Sequence, residues 1–191
     1  MVLTDTDILK QIRAGNIEIE PFDKKRLGSN SYDVTLGKDL LVYTEDTLDC
    51  IKMPIVHRFE IPEEGYVLHP GELYLGVTNE RTRSKCFVPD IDGKSSIGRL
   101  GICIHQTAGI GDIGFNGHWT LEITVIKPIR VYANMPIGQV RFMLPLSDCT
   151  VSYALKDNAK YRNQPGIPIP SQMWKNFIIE KPLYDTKIHS K

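Results

Sequence analysis

Two short stretches hold most of the groups able to do chemistry. In "GKSSIGR", residues 93–99, Lys94, Ser95, Ser96 and Arg99 supply two cations and two hydroxyls, beside Gly93 and Gly98. With backbone amides freed by those glycines, the mixture would cradle a polyanion; a solvated turn has the same composition. The segment ends as a Walker phosphate loop ends, G-x-x-x-x-G-K-[ST]. Val88, however, stands where the first glycine belongs, and neither a long helix nor a βαβ pattern surrounds it. An ATPase loop is excluded. In "WTLEITV", residues 119–125, Glu122 lies between apolar neighbours, and strand alternation aims it opposite Leu121 and Ile123. It faces water, or, if both faces of its sheet are covered, it is a partly desolvated carboxylate suited to proton transfer. Asp112, in the glycine-rich "GIGDIGF", is a turn former or a ligand. His105 reads as structural.

A zinc site of the nucleobase-deaminase kind needs H-x-E and, further on, P-C-x-x-C. None of His57, His69, His105, His118 or His189 has a glutamate two residues on, and Cys50, Cys86, Cys103 and Cys149 lie far apart. That zinc site is excluded, and no other metal site is expected from the side chains.

The elements that must position these groups are mostly strands. "IEIE" at 17–20, "SYDVTLG" at 31–37, "ELYLGVT" at 72–78, "LGICI" at 100–104 and "TLEITVI" at 120–126 alternate with period two. Turn signals punctuate them at Pro70-Gly71, Pro89-Asp90, Asn116-Gly117 and Asn134-Met135-Pro136. Many short strands with almost no helix between them predict an all-β sandwich or jelly roll. One short helix within residues 1–16 is expected to pack as a lid. Thr4 caps it with Asp7 at the third position, Leu3 staples onto Ile8, and Gly15 ends it. From Lys156 to Lys191 the chain reads as an extended polar arm, with Trp174 and Phe177 in "QMWKNF" anchoring on something, such as another subunit.

The 191 residues show no linker or repeat and read as one domain, 1–191. Lys and Arg number 23, as do Asp and Glu, so no basic excess points to a nucleic-acid partner, while an anionic small molecule needs only a local cluster. No signal pattern or long apolar run is present, which predicts a cytoplasmic protein off the membrane, with its four cysteines as reduced core thiols.

In order along the chain, "GKSSIGRLG", "HQTAGIGDIGFNG", "TLEI", "PIGQVRF" and "AKYRNQPG" resemble the dCTP deaminase family of the trimeric dUTPase superfamily. "LTDTDILKQI" and "NSYDVTLG" are similar to its N-terminal region, so the resemblance covers most of the chain, from about Ser31 to Ser171 at its strongest. It implies a distorted jelly roll and a homotrimer with active sites between subunits. Carried over by position, Lys94, Ser95, Ser96, Ile97, Gly98 and Arg99 fall on the nucleotide-binding segment, and Asp112 falls beside the deoxyribose. Thr120, Leu121 and Glu122 fall on the strand lining the base, Gln139 on a glutamine found in part of the family, and Tyr153, Lys160 and Gln164 on the residues closing over the triphosphate. Glu122 would be the catalytic acid/base, with Ser95 and the Ala108 carbonyl orienting the water and Arg99 fixing Glu122.

The resemblance further implies dCTP as substrate and dTTP as inhibitor. A triphosphate carries about four negative charges, more than Lys94, Arg99 and Lys160 balance, so Mg²⁺ is expected on the phosphates. Deamination to dUTP and ammonia, feeding dUMP and dTTP synthesis, is the first expectation. The alternative is a bifunctional enzyme giving dUMP and diphosphate directly: Gly109 stands where some strictly deaminating relatives have histidine, and bifunctional relatives share T-A-G. Asp112 and Gln139 would then position the second water. A dUTP pyrophosphatase and a non-catalytic nucleotide sensor rank lower.

Overall fold

The computed structural model describes residues 1–178. Helix α1, Asp5–Arg13, starts at a capping box in which Thr4 and Asp7 each satisfy the other's backbone N–H, and it buries Ile8 completely. Gly15 follows at φ 69°, a left-handed conformation that stops the helix and turns the chain into strand. This is the helix expected from the apolar spacing.

The rest is a β jelly roll. Its largest sheet runs β4 (Val56–Glu60), β3 (Asp39–Tyr43), β6 (Tyr74–Ser84), β9 (Asn116–Val125) and β8 (Ile102–Cys103), with β1 (Ile17–Glu20) paired to the far half of β6. A second sheet orders β2 (Tyr32–Thr35), β11 (Pro136–Met143) and β7 (Val88–Gly93). A third pairs β10 (Ile129–Val131) with β5 (Tyr66–Leu68). Every β-sheet pairing between these strands is antiparallel. Tyr32, Val34, Leu121, Ile123, Val140 and Phe142 meet between the sheets in one contiguous core. Strand β9 shows why: Trp119, Leu121, Ile123 and Val125 are buried, while His118, Thr120, Glu122 and Thr124 between them are not.

Three expectations are corrected. Segment 93–99 is not a loop: Ser95–Arg99 forms the one-turn helix α2, with Lys94 as its N-cap. The four cysteines are free as expected but exposed, because each lies in a loop or on an edge rather than on an inward strand face. The C-terminal arm is not extended in its described part. It folds back so that Gln164 forms a parallel bridge with Gly117, and Met173–Phe177 makes a 3-10 turn. Trp174 is half-buried beside a small cavity of its own chain, while Phe177 stays half exposed. The remainder of the arm, 179–191 with His189, lies outside the described residues. Among the described residues no helix is long and apolar enough to cross a membrane.

Candidate active site

Polar residues on the outward face of β9 form one wall of a cavity of about 530 Å³. Glu122 reaches it because β9 alternates, and a cross-strand neighbour, Leu75 of β6, stands directly beside it. Its Oε2 accepts the Gln106 backbone N–H at 2.8 Å, and its own N–H donates to the Ile104 carbonyl at 2.8 Å. Segment 104–106 therefore orients both the backbone and the carboxylate of Glu122. The Gln106 side chain donates to Thr124 Oγ1 at 3.1 Å, which holds that segment along the strand.

Ala108 and Asp112 lie on the loop that follows. This loop runs as an added strand along β7: Ile91 N–H donates to the Gly109 carbonyl and Gly111 N–H to the Pro89 carbonyl, both at 2.8 Å. The path needs glycine at 109. A Cβ there would sit 2.6 Å from the Ile91 carbonyl oxygen and 3.0 Å from the His105 ring. Asp112, at the rim, has a side chain 55 % exposed and 3.5 Å from the Lys156 ammonium. Phe115 and Trp119, with ring centroids 4.4 Å apart, close another end of the cavity.

The roof comes from the C-terminal segment. Thr120 Oγ1 accepts both the Gln164 amide at 2.5 Å and the Ile169 N–H at 3.1 Å. A hydroxyl has two lone pairs and one hydrogen, so Thr120 is left only a proton to offer the cavity. Tyr153 accepts the Tyr161 N–H, Tyr161 accepts the Gln172 N–H, and Tyr43 of β3 accepts the Ser171 N–H. Burial pushes the Tyr43 phenol above its usual pKa; the Ser171 N–H opposes this, and nearby Tyr161 and Glu122 reinforce it.

Of the residues singled out from sequence, Ala108, Asp112, Thr120, Glu122, Tyr153 and Gln164 share this cavity. Leu121 does not line it with its side chain: alternation turns it into the core at 1 % exposure. Tyr161 rather than Lys160 lines the roof. Lys94, Ser95, Ser96, Ile97, Gly98, Arg99 and Gln139 lie outside it, because α2 and β11 belong to a different part of the fold. In that second group Ile97 is buried, while Ser95, Ser96 and Arg99 are exposed. The Gly93 and Gly98 amides are not free: they donate to Asp92 Oδ1 at 2.7 Å and to the Lys94 carbonyl at 2.9 Å. Lys94 is paired with Asp33, which faces Gln139 across the sheet, and Gln139 accepts the Ser31 hydroxyl at 3.2 Å. Arg99 has no ion pair among the described residues, and neither it nor Ser95 bonds to Glu122 within one chain. The single chain thus holds the residues singled out from sequence in two separated groups, one around the Glu122 carboxylate and one around α2 with its cations and hydroxyls.

Sequence reasoning passed over Tyr43 and the Gln106 amide. Gln106 stands inside the "HQTAG" motif, but its contribution is a backbone N–H that no residue type announces. Tyr43 is distant in sequence and carries no motif.

A jelly roll with a carboxylate-centred cavity roofed by its own C-terminal segment belongs to a class of pocket-bearing β proteins, and the comparisons specify which. The chain belongs to the dCTP deaminase-like family, whose model matches residues 2–144. A protein of Clostridium beijerinckii named "dCTP deaminase, dUMP-forming" is 48 % identical over 177 residues, 93 % of this chain and 99 % of that protein. Its namesake from Clostridium botulinum is 49 % identical over 178 residues, with the same shares. In fold, the chain is similar to the crystal structure of 2'-deoxycytidine 5'-triphosphate deaminase from Agrobacterium tumefaciens. That likeness has a TM-score of 0.60 and 22 % identity, over 75 % of this chain and 48 % of that one.

Proposed function

We propose that this protein converts dCTP to dUMP, releasing ammonia and diphosphate. The observation that carries this reading is near-complete coverage by relatives named dUMP-forming, at 48–49 % identity. It reverses the order reached from sequence, in which release of dUTP came first. The walled-in Gly109 supports the reversal, since a loop on this path has no room for the histidine of strictly deaminating relatives.

In the first step a water oxygen bonds to C4 of the cytosine ring, the C4–N bond breaks, and ammonia leaves. Glu122 would carry the water's two protons in turn, one to the ring nitrogen as the C4–O bond forms and the other to the amine as the C4–N bond breaks, with the Ala108 carbonyl holding the water. The Gln106 N–H keeps the carboxylate in place for this task. In the second step water adds across the bond between the α- and β-phosphates, yielding dUMP and diphosphate. Asp112, with its exposed carboxylate, is the cavity group suited to position that water. Gln139 lies on another sheet in the same chain, and Arg99 and Ser95 lie apart from Glu122. We therefore read the active unit as a homotrimer in which one subunit's 94–99 segment completes a neighbour's cavity. Exposed Leu100 and Ile126, at 59 % and 77 %, flank that segment and would be covered by such packing.

Mg²⁺ fits as a companion of the substrate. Among the described residues no three His, Cys, Asp or Glu side chains group to cage a metal, so phosphate oxygens would hold the ion and it would offset their charge. dTTP, with the same sugar and phosphates, is read as an inhibitor of the same cavity, and the cytoplasm, where free thiols persist, as its location.

The test is to incubate the wild type and Glu122→Gln with dCTP and Mg²⁺ and quantify ammonia, dUTP, dUMP and diphosphate. Equal yields of ammonia, dUMP and diphosphate from the wild type, and no ammonia from Glu122→Gln, are expected. Accumulating dUTP would restore the simple deaminase; ammonia at the wild-type rate from Glu122→Gln would remove the carboxylate from its role. Sedimentation should give the mass of three chains.

A further inference from the structure

The cavity roof is held from a direction that the proposed chemistry does not use. Tyr43 closes β3 and begins the connection to β4, residues 44–55. Its hydroxyl accepts the Ser171 N–H at 3.1 Å, and one residue later the Gln172 N–H donates to Tyr161 at 2.9 Å. Beyond this point Met173 and Trp174 form one wall of a second cavity of about 110 Å³, whose facing wall includes Leu48, Cys50 and Pro54 of the same connection. Tyr43 and Ser171 line both cavities, so the hydrogen bond between them is part of the partition. A phenol is protonated at neutral pH, and burial moves its ionisation further away, so the Tyr43 oxygen is a neutral acceptor.

We propose that the β3–β4 connection is a clasp for the C-terminal segment, and that Tyr43 is the positioning residue that seats this segment over Glu122 and Thr120. Below the clasp the roof touches the sheet through the two bonds to Thr120 and the Gln164–Gly117 bridge. Without the Tyr43–Ser171 bond and the seat for Trp174, the segment that carries Tyr161, Gln164 and Ile169 loses its far anchor. It then opens locally while the jelly-roll core stays folded. The effect on kinetics rests on the proposed nucleotide site; the clasp itself does not.

The experiment compares full-length wild type, Tyr43→Phe, Trp174→Ala and the double variant. Limited trypsin digestion without nucleotide, read by mass spectrometry, follows cleavage at Lys156, Lys160, Arg162 and Lys175. Steady-state kinetics with dCTP and a thermal melt are run on the same samples. Loss of one neutral hydrogen bond should speed cleavage about fivefold in Tyr43→Phe, and more in the double variant. KM for dCTP should rise by a similar factor, with a smaller fall in kcat and little change in the melting midpoint. Cleavage of Tyr43→Phe and Trp174→Ala at the wild-type rate would overturn the clasp. So would equal losses in kcat and melting midpoint with KM unchanged, because these would mark a merely structural tyrosine. If Tyr43→Phe does not fold, Trp174→Ala alone decides through the same two readouts. Faster cleavage in a protein whose wild type turns over neither dCTP nor dUTP would support the clasp and defeat the nucleotide reading instead.

Discussion

Gly109→Ala tests whether the path of the 107–111 loop matters to the reaction. The added Cβ would stand 2.6 Å from the Ile91 carbonyl oxygen, where a carbon–oxygen contact needs about 3.3 Å. It cannot escape sideways, because Cε1 and Nε2 of the His105 ring lie 3.0 Å away. The loop must therefore lift off β7 by roughly 0.7 Å, stretching the Ile91–Gly109 and Gly111–Pro89 hydrogen bonds, at an overpacking cost of about 1–3 kcal/mol. The melting midpoint should fall by roughly 2–10 °C for a chain of this size. The larger effect should be kinetic. The Ala108 carbonyl moves with the loop while Glu122 stays on its strand, and a misplacement near 1 Å costs on the order of 10²-fold in rate. Ammonia release from dCTP, followed by a coupled assay at saturating substrate, should drop by about 30- to 100-fold. A Gly109→Ala enzyme within threefold of wild type would refute the reasoning, because the loop would then have relocated without disturbing the attacking water.

Glu80→Ala should be strongly destabilising. Glu80 is completely buried, accepts the Thr35 N–H at 2.8 Å and the Thr35 hydroxyl at 2.9 Å, and pairs with Arg26. Its loss strands all three groups, of which only Arg26, with a third of its side chain exposed, can recover water. We expect about 3 kcal/mol and roughly 10 °C in a thermal melt; a fall under 2 °C would contradict it. Stability should also decline in alkali. Burial raises the pKa values of Tyr32, Tyr43 and Tyr74 in the folded chain. Unfolded tyrosines ionise near pH 10, so the unfolded state releases protons first and gains as pH rises through 10 toward the folded values. Below about pH 9 the tyrosines contribute no slope. Urea midpoints that stay flat between pH 9 and 11 would count against this.

The parts of the fold set by local chemistry were legible. Thr4 and Asp7 announced the helix start, Gly15 its end, and the alternation around Glu122 the strand and its outward face. Helix α2 was hidden because "SSIGR" is short and holds a glycine, so its single turn depends on Ile97 finding the core. The Leu121 side chain turns away from the cavity because a motif names consecutive residues while a strand divides them between two faces. The exposed cysteines were misread because their residue type favours burial and only the chain path decides it. The C-terminal arm looked extended because its contacts are backbone amides reaching distant hydroxyls, which leave no periodic trace.

By itself, the amino-acid sequence determined the alternating strands, the capped helix, the absence of the zinc-deaminase pattern and the ordered motifs that point to the family. These are properties of residue type and spacing within a few positions. Only the tertiary structure decided which of those motifs share a cavity, that the Gln106 amide rather than Arg99 holds Glu122 in a single chain, and that the Tyr43 hydroxyl meets the Ser171 N–H of the C-terminal segment. Each depends on segments far apart in sequence meeting through backbone groups common to every residue, and short-range pattern carries no record of such meetings.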